Sequence, residues 1–503
     1  MKQYDLVIIG SGVGLSILEV ALHHGLNCAI IEKDSLGGTC LNRGCIPSKV
    51  LVYPADLVRE AGHARKIGVS FPDPEIDWPK ISRRMWSYIS HNESIENSLS
   101  AADQVDLYRG TAQFTGPDTI WVPDEKHGRT ELFKGTRFVI AAGVRTFVPP
   151  ISGLESAGYV TSETFFGSQF PKSPWKKLAI IGGGAIGLEF AHIFSAFGTE
   201  VTMIEKASHL APLEEPAVSS LLETEFRHQG IRVMTQCTAS AASLTDTGKR
   251  LMVKHEISGE EQAVDCDEIF VAAGVRSNAD LLHVEKSGVQ TDQRGYIITN
   301  TYLETNLPNV FALGDINGKF QFRHKANYEA EILVNNLFHS EREKKEVDYR
   351  SVPWAVFTSP QIAHVGLRED EVRAKGIPYK VAYNDYASIA KGYAMGYEED
   401  DPDNGFTKLI VDENMKILGV HIVGPQAAIL LQPFVYLMNA GLRCTQKTLK
   451  QITARQKRIR SIAGIFPPCS EAGTLEPIAQ SMVIHPSLSE LTAWAIEGLE
   501  WAE

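Results

Sequence analysis

Basic charge in excess is missing from this chain of 503 residues: 49 Lys and Arg stand against 61 Asp and Glu, a formal net charge of −12. That excludes phosphate neutralisation along nucleic acid as its main business, which needs a basic surface. No apolar run approaches the roughly 18 residues of a membrane span, so a soluble protein is expected. Cysteine is scarce. Its seven positions (28, 40, 45, 237, 266, 444 and 469) are too few and too odd in number for a secreted disulfide framework. No Cys-x-x-Cys motif or histidine pair supplies the further ligands a metal beside the cysteines would need, so no metal site is expected. Met1-Lys2-Gln3-Tyr4 runs straight into Leu6-Val7-Ile8-Ile9 without a charged leader or cleavage signal, which places the expected start of the mature chain here and its setting in the cytoplasm.

What is present is an ordinary globular composition, 44% hydrophobic and 22% charged, at a length that predicts three or four domains. Two segments share one pattern. Asp5-Leu-Val-Ile-Ile-Gly10-Ser-Gly12-Val-Gly14 leads into a helical stretch and then Cys28-Ala-Ile-Ile-Glu32; Leu178-Ala-Ile-Ile-Gly182-Gly-Gly184-Ala-Ile-Gly187 leads into another and then Val201-Thr-Met-Ile-Glu205. Each reads as strand, glycine turn, helix, strand, with a carboxylate ending the second strand. The glycines let backbone approach a pyrophosphate at the positive end of a helix, and the carboxylate accepts hydrogen bonds from a ribose diol. Two copies point to two dinucleotide sites. The copies differ: the first has Leu15 at the position of the third glycine, and Gly14 is the candidate to replace it. Glu205 favours NAD over NADP, a preference that Lys206 and His209 soften.

Further apolar strands end on Gly143 and Gly274, and Asn309-Val-Phe-Ala-Leu-Gly314-Asp315 carries a carboxylate at its tip. A charge run from Glu341 to Glu346 precedes alternating strands such as Trp354-Ala-Val-Phe, which predict a separate α+β domain from about 350.

Cys40 and Cys45 lie in Gly37-Gly-Thr-Cys40-Leu-Asn-Arg-Gly44-Cys45-Ile-Pro47-Ser-Lys49. Five residues of continuous helix span about 7.5 Å, slightly beyond the roughly 4.4–6.8 Å between the Cα atoms of a disulfide. A bridge therefore requires a tightened turn at Gly44. The alternatives are two free thiols or half of a metal site.

The stretch Cys40 to Lys49 resembles the redox-active CxxxxCxPSK motif of the flavin-dependent pyridine nucleotide–disulfide oxidoreductases, and His485-Pro-Ser-Leu-Ser-Glu490 is similar to that family's HPxxxE signature. The order of motifs resembles the family over nearly the whole chain, most of all its dihydrolipoamide dehydrogenases. Gly12-Val-Gly14-Leu-Ser-Ile-Leu and Arg323-His324-Lys-Ala-Asn327 resemble the mycothione-reductase-like branch. The resemblance implies an α/β chain with two Rossmann-like domains, for FAD and NAD, and a C-terminal α+β dimerisation domain. The expected bounds are 1–150 for the first FAD-binding part with the dithiol, 151–275 for the NAD domain, 276–348 for the second FAD-binding part, and 349–503 for dimerisation.

By the same resemblance, Gly10, Gly12, Gly14, Glu32, Lys49, Gly143, Gly314 and Asp315 serve FAD; Gly182, Gly184, Gly187, Glu189, Glu205 and Gly274 serve NAD. Lys49 and Glu189 resemble the ion pair near the flavin N5. Cys45 is implied as the thiolate beside the flavin, Cys40 as the interchange thiol, and His485 oriented by Glu490 as the base. The implied assembly is a homodimer in which the histidine of one subunit serves the dithiol of the other.

The implied reaction is oxidation of dihydrolipoyl thiols with NAD as acceptor. The alternative is NAD(P)H-dependent reduction of a small disulfide such as mycothione. The absence of paired cysteines near the C-terminus separates the chain from mercuric reductases. One segment is longer than the family's: about 444–470, with Arg455, Lys457, Arg458 and Arg460, is basic and predicted helical. It is either a solvated helix or a docking surface for an acidic lipoyl carrier domain.

Overall fold

The computed structural model describes residues 1–124, 129–339, 341, 343–440, 476–487, 489 and 493. Glu490, Cys444, Cys469 and the basic segment 444–470 lie outside these residues.

The strand Lys2–Ile9 pairs in parallel with Cys28–Glu32 on one side and Arg129–Ile140 on the other. Val105–Arg109 extends the sheet beyond Cys28–Glu32, and the hairpin Gln113–Gly116/Thr119–Asp124 adds antiparallel strands at the opposite edge. The run Leu6–Ile9 is apolar at every position because helices cover both faces of a parallel sheet; all four side chains are buried. Fully burying a Leu or Ile contributes about 1.5–3 kcal/mol, so this strand anchors the domain. Val310–Ala312, more than 150 residues later, returns to pair with Arg129–Ile140. That return brings the Gly314 turn to the C-terminal edge of the same sheet. Helices Gly14–His23 and Arg323–Phe338 pack side by side over it, sharing Ile17, Leu18, Ala326 and Leu333 as core.

Between these passages a second parallel sheet forms, ordered Arg232–Met234, Glu200–Ile204, Lys177–Ile181, Glu268–Val271. A three-stranded antiparallel layer, Cys237–Thr245, Gly248–His255 and Glu261–Cys266, lies beside it. The chain enters and leaves this unit through Val144–Thr146 and Val275–Ser277, which pair antiparallel. Helix Ala185–Ala196 is buried along almost its whole length, clamped between its own sheet and helix Cys45–His63. It packs toward its own sheet through Phe190 and Phe194, with Phe190 stacked on Phe270 of strand Glu268–Val271 at 4.1 Å, and meets helix Cys45–His63 through Lys49–Glu189, Asp56–His192 and Arg59–Ser195. Positions 189, 192 and 195 recur every three residues, so one helix face carries all three polar contacts.

The last unit is an antiparallel sheet ordered Pro353–Val356, Gln361–Gly366, Ile417–Gly424, Phe406–Asp412, Tyr379–Asp385. Helix Ala427–Asn439 covers it with Ala428, Leu431 and Val435. This agrees with the expected α/β class and its C-terminal α+β unit. No helix among the described residues is long and apolar enough to cross a membrane.

Candidate active site

The first glycine turn follows Ile9 directly, and its carboxylate is already engaged. Glu32 Oε2 accepts hydrogen bonds from the Ser11 backbone N at 2.9 Å and Ser11 Oγ at 2.6 Å, and Oε1 accepts from Asp34 N. The departure at Leu15 resolves in space. A Cβ on Gly14 would stand 2.7 Å from Ile8 Cγ2, so Gly14 is the glycine that lets the helix approach the sheet. In the second turn the close contact falls at Gly187, where a Cβ would meet Gly182 O at 2.1 Å. There Glu205 Oε2 accepts from Gly183 N at 2.5 Å and Oε1 from Ala207 N at 2.6 Å.

The helix over 40–45 is not continuous. Gly38–Arg43 ends at Gly44 (φ −135°, ψ −121°), and Cys45–His63 begins immediately after it. This break brings Cys40 and Cys45 together as free thiols in hydrogen-bonding contact. The two are electrostatically unequal. The hydrogen bond from Cys40 lowers Cys45 most, Lys49 and His485 lower it further against the opposing effects of burial and Glu189, and the outcome is about 6. Cys40 is raised well above the ordinary range, first by that shared hydrogen bond and then by burial. The pair therefore holds its negative charge on Cys45.

Around the thiols, Lys49 Nζ lies 2.8 Å from both oxygens of Glu189 and 4.7 Å from the centre of the Phe357 ring. The Phe357 backbone N donates to Glu189 Oε1 at 3.2 Å. His485 Nε2 lies 3.3 Å from Cys40 Sγ. The segment bearing His485 is held by Gln432, whose side chain bonds Met482 O at 3.1 Å and Ile484 N at 3.2 Å. Within one chain His485 stands beside the dithiol, the pairing that the resemblance expects between two subunits of a homodimer. Ile484 packs with Ala428, Leu431 and Val435 of helix Ala427–Asn439 in the core of the C-terminal unit.

One cavity of about 380 Å³ joins these groups. Its lining includes Gly10, Gly12, Glu32, Cys40, Cys45, Lys49, Gly143, Glu189, Gly314, Asp315 and His485. Gly182, Gly184, Gly187, Glu205 and Gly274 lie outside that lining, around the second turn. Asp315 is raised to about 6, chiefly by desolvation, the behaviour of a carboxyl aimed into a closed cleft. His324 also lines the cleft, but its Nε2 donates to Pro353 O at 2.9 Å and burial lowers it to about 4, so it is a neutral structural histidine. The cavity fits an elongated dinucleotide: backbone at the glycine turn, carboxylates at Glu32 and Asp315, and the Lys49–Glu189 pair at the dithiol end. Sequence reasoning missed Ser11, Phe357 and Gln432. Ser11 sits inside the fingerprint and was findable; the other two come from a distant part of the chain and carry no local signal.

Residues 4–330 match the family described as pyridine nucleotide-disulphide oxidoreductase, and residues 352–455 match its dimerisation domain. The chain is 34% identical over 454 residues to a dihydrolipoyl dehydrogenase of Chlamydia muridarum (89% of this chain, 93% of that protein). It is 33% identical over 466 residues to the mycothione reductase of Mycobacterium tuberculosis (89% and 95%). Among solved structures, the HOCl-induced flavoprotein disulfide reductase RclA from Escherichia coli superposes with a TM-score of 0.73 at 27% identity, covering 89% of this chain and 97% of that one. The chain belongs to the pyridine nucleotide–disulphide oxidoreductases, flavin-dependent enzymes that use FAD and NAD(P).

Proposed function

We propose that this enzyme oxidises dihydrolipoyl thiols with NAD+ as final acceptor. The observation that carries the reading is the inequality of the two thiols. In exchange, a substrate thiolate attacks Cys40 Sγ of the Cys40–Cys45 disulfide, and Cys45 leaves with the electron pair of the broken S–S bond. A leaving thiol of low pKa departs fastest, and Cys45 is the lowered one. The second substrate thiol then displaces Cys40 from the mixed disulfide, closing the substrate's own S–S bond. His485, 3.3 Å from Cys40, takes the proton of the attacking thiol and returns one to Cys40 as it leaves. FAD, when bound, carries the two electrons from the dithiol to the nicotinamide. Glu32, Asp315 and the first glycine turn hold it, and Lys49 with Glu189 sets the charge at its dithiol end. The choice of lipoyl substrate rests on the similarity to dihydrolipoyl dehydrogenases, and the choice of NAD on Glu205.

The enzyme acts in the cytoplasm as a homodimer in this reading. The match to the dimerisation domain supports assembly. In this dimer His485 of each copy serves the Cys40 of the other, a reciprocal exchange that two-fold symmetry permits. Steady-state assays with dihydrolipoamide plus NAD+, and with glutathione disulfide and mycothione plus NADH or NADPH, test the substrate. A kcat/KM highest for dihydrolipoamide upholds the reading; a preference for mycothione transfers it to the reductive branch.

A further inference from the structure

A second group of ligand-bearing side chains meets away from the dithiol, where the nucleotide domain abuts the C-terminal sheet. Glu214 stands just before helix Pro216–His228. His364 and His421 are direct cross-strand partners on Gln361–Gly366 and Ile417–Gly424, with ring centroids 5.3 Å apart. One ligand-capable atom from each of the three lies within 4.8 Å of the others.

Two atoms here find no hydrogen-bond partner among the described residues. Glu214 is 2% exposed and His421 0%. Glu214 Oε1 and His421 Nδ1 are buried without a hydrogen-bond partner among the described residues. His421 Nε2 faces Leu367 O at 3.1 Å. A carbonyl only accepts, so Nε2 keeps the proton and Nδ1 presents a bare lone pair. His364 Nδ1 reaches Glu214 Oε2 at 2.8 Å, and Trp354 stacks on the His364 ring at 5.7 Å and 12°. A nearby buried ammonium does not fill the gap: Lys408 Nζ is committed to Glu215 and Glu369, each at 2.7 Å. Buried lone pairs of an imidazole and a carboxylate within one such cluster, lacking a donor, are costly unless something electropositive sits among them.

We propose that Glu214, His364 and His421 bind a divalent transition-metal ion of the zinc class, joining the nucleotide domain to the C-terminal sheet. Two imidazoles and one carboxylate suit zinc, with a water in the fourth position. Tetrahedral zinc holds its ligand atoms about 3.3 Å apart, so the cluster contracts around the ion by side-chain rotation. Its entry displaces the proton between His364 and Glu214. The Nε2–H bond of His421 to Leu367 O is the outer contact that orients a metal-bound imidazole. His364, 14% exposed at its side chain, provides the way in.

The test uses the full-length flavoenzyme with Cys40→Ser and Cys45→Ser, so that the dithiol cannot hold metal. After equilibration with zinc chloride and gel filtration, elemental analysis should find one zinc per chain, and zinc should raise the thermal midpoint. Adding His364→Ala or, with shape retained, Glu214→Gln should abolish both the zinc and the thermal shift, while the midpoint in chelator stays near that of the parent. No zinc in the parent overturns the site, as does zinc retained by both variants.

Discussion

Lys49 Nζ stands 2.8 Å from each carboxylate oxygen of Glu189, joining the helix that carries Cys45 to the helix that opens the second nucleotide turn. Side-chain exposures of 21% and 9% make it an interior pair whose two ends belong to different domains. Removing one end leaves a buried charge uncompensated, at about 3 kcal/mol. Lys49→Met should therefore lower stability by about that amount in urea titrations and raise the Cys45 pKa, since Lys49 is among the groups that lower it. The double variant Lys49→Met/Glu189→Leu should regain most of the stability; failure to do so would mean the loss lies in packing against Phe357.

In the reduced enzyme Cys45 is lowered to about 6 while Cys40 is raised. A thiol carrying charge only in its deprotonated form reacts as thiolate above its pKa and stops reacting as pH falls through it. Alkylation mapped by mass spectrometry should thus modify Cys45 with a midpoint near 6 and Cys40 only at much higher pH. Equal midpoints near about 8.5, the unperturbed thiol value, would contradict the inequality on which the exchange direction rests.

Chains carrying Cys40→Ser and chains carrying His485→Ala are each expected to be inactive with dihydrolipoamide. When the two are refolded together, reciprocal exchange of the histidine segment builds one site with both groups intact in each mixed dimer. Activity should then recover to about a quarter of wild type if mixing is random, since half the dimers are mixed and each has one good site of two. No recovery would assign His485 to its own chain's dithiol.

The two glycine turns differ in how they tolerate a methyl group. Gly187→Ala drives a Cβ to 2.1 Å from the backbone oxygen of Gly182, whereas Gly14→Ala meets the side chain of Ile8 at 2.7 Å. Backbone cannot swing aside as a side-chain methyl can. Gly187→Ala should cost about 1–3 kcal/mol and raise KM for the nicotinamide nucleotide, with flavin content unchanged. Gly14→Ala should cost less and show itself as partial loss of bound flavin. Flavin content and KM in the same preparations separate the two.

His324 is buried and lowered to about 4, below an unfolded value of about 6.5. Between these values the unfolded chain binds the proton and the folded one does not, so this residue's contribution to stability is full above pH about 6.5 and is lost as pH falls toward about 4. The difference in denaturation midpoint between wild type and His324→Gln should shrink over that interval. A pH-independent difference would show that His324 is charged in the fold.

Local order in the chain was sufficient for the two fingerprints, the dithiol and the strands that end on carboxylates, because each is a contiguous stretch whose chemistry depends on near neighbours: a glycine turn, a helix start, an apolar strand buried on both faces. The break at Gly44 was legible as a requirement on Cys40 and Cys45. Its form, two helices meeting at one glycine, was not, because helix ends answer to packing as much as to propensity.

The amino-acid order by itself singled out the candidate redox residues and two dinucleotide turns, since those features ride on spacing along a few dozen residues. Only the tertiary structure decided which thiol holds the charge, how Phe357 and Gln432 brace the site, and that Glu214, His364 and His421 share one pocket. These depend on contacts between parts of the chain far apart in sequence, and on how far burial and fixed charge shift each titrating group.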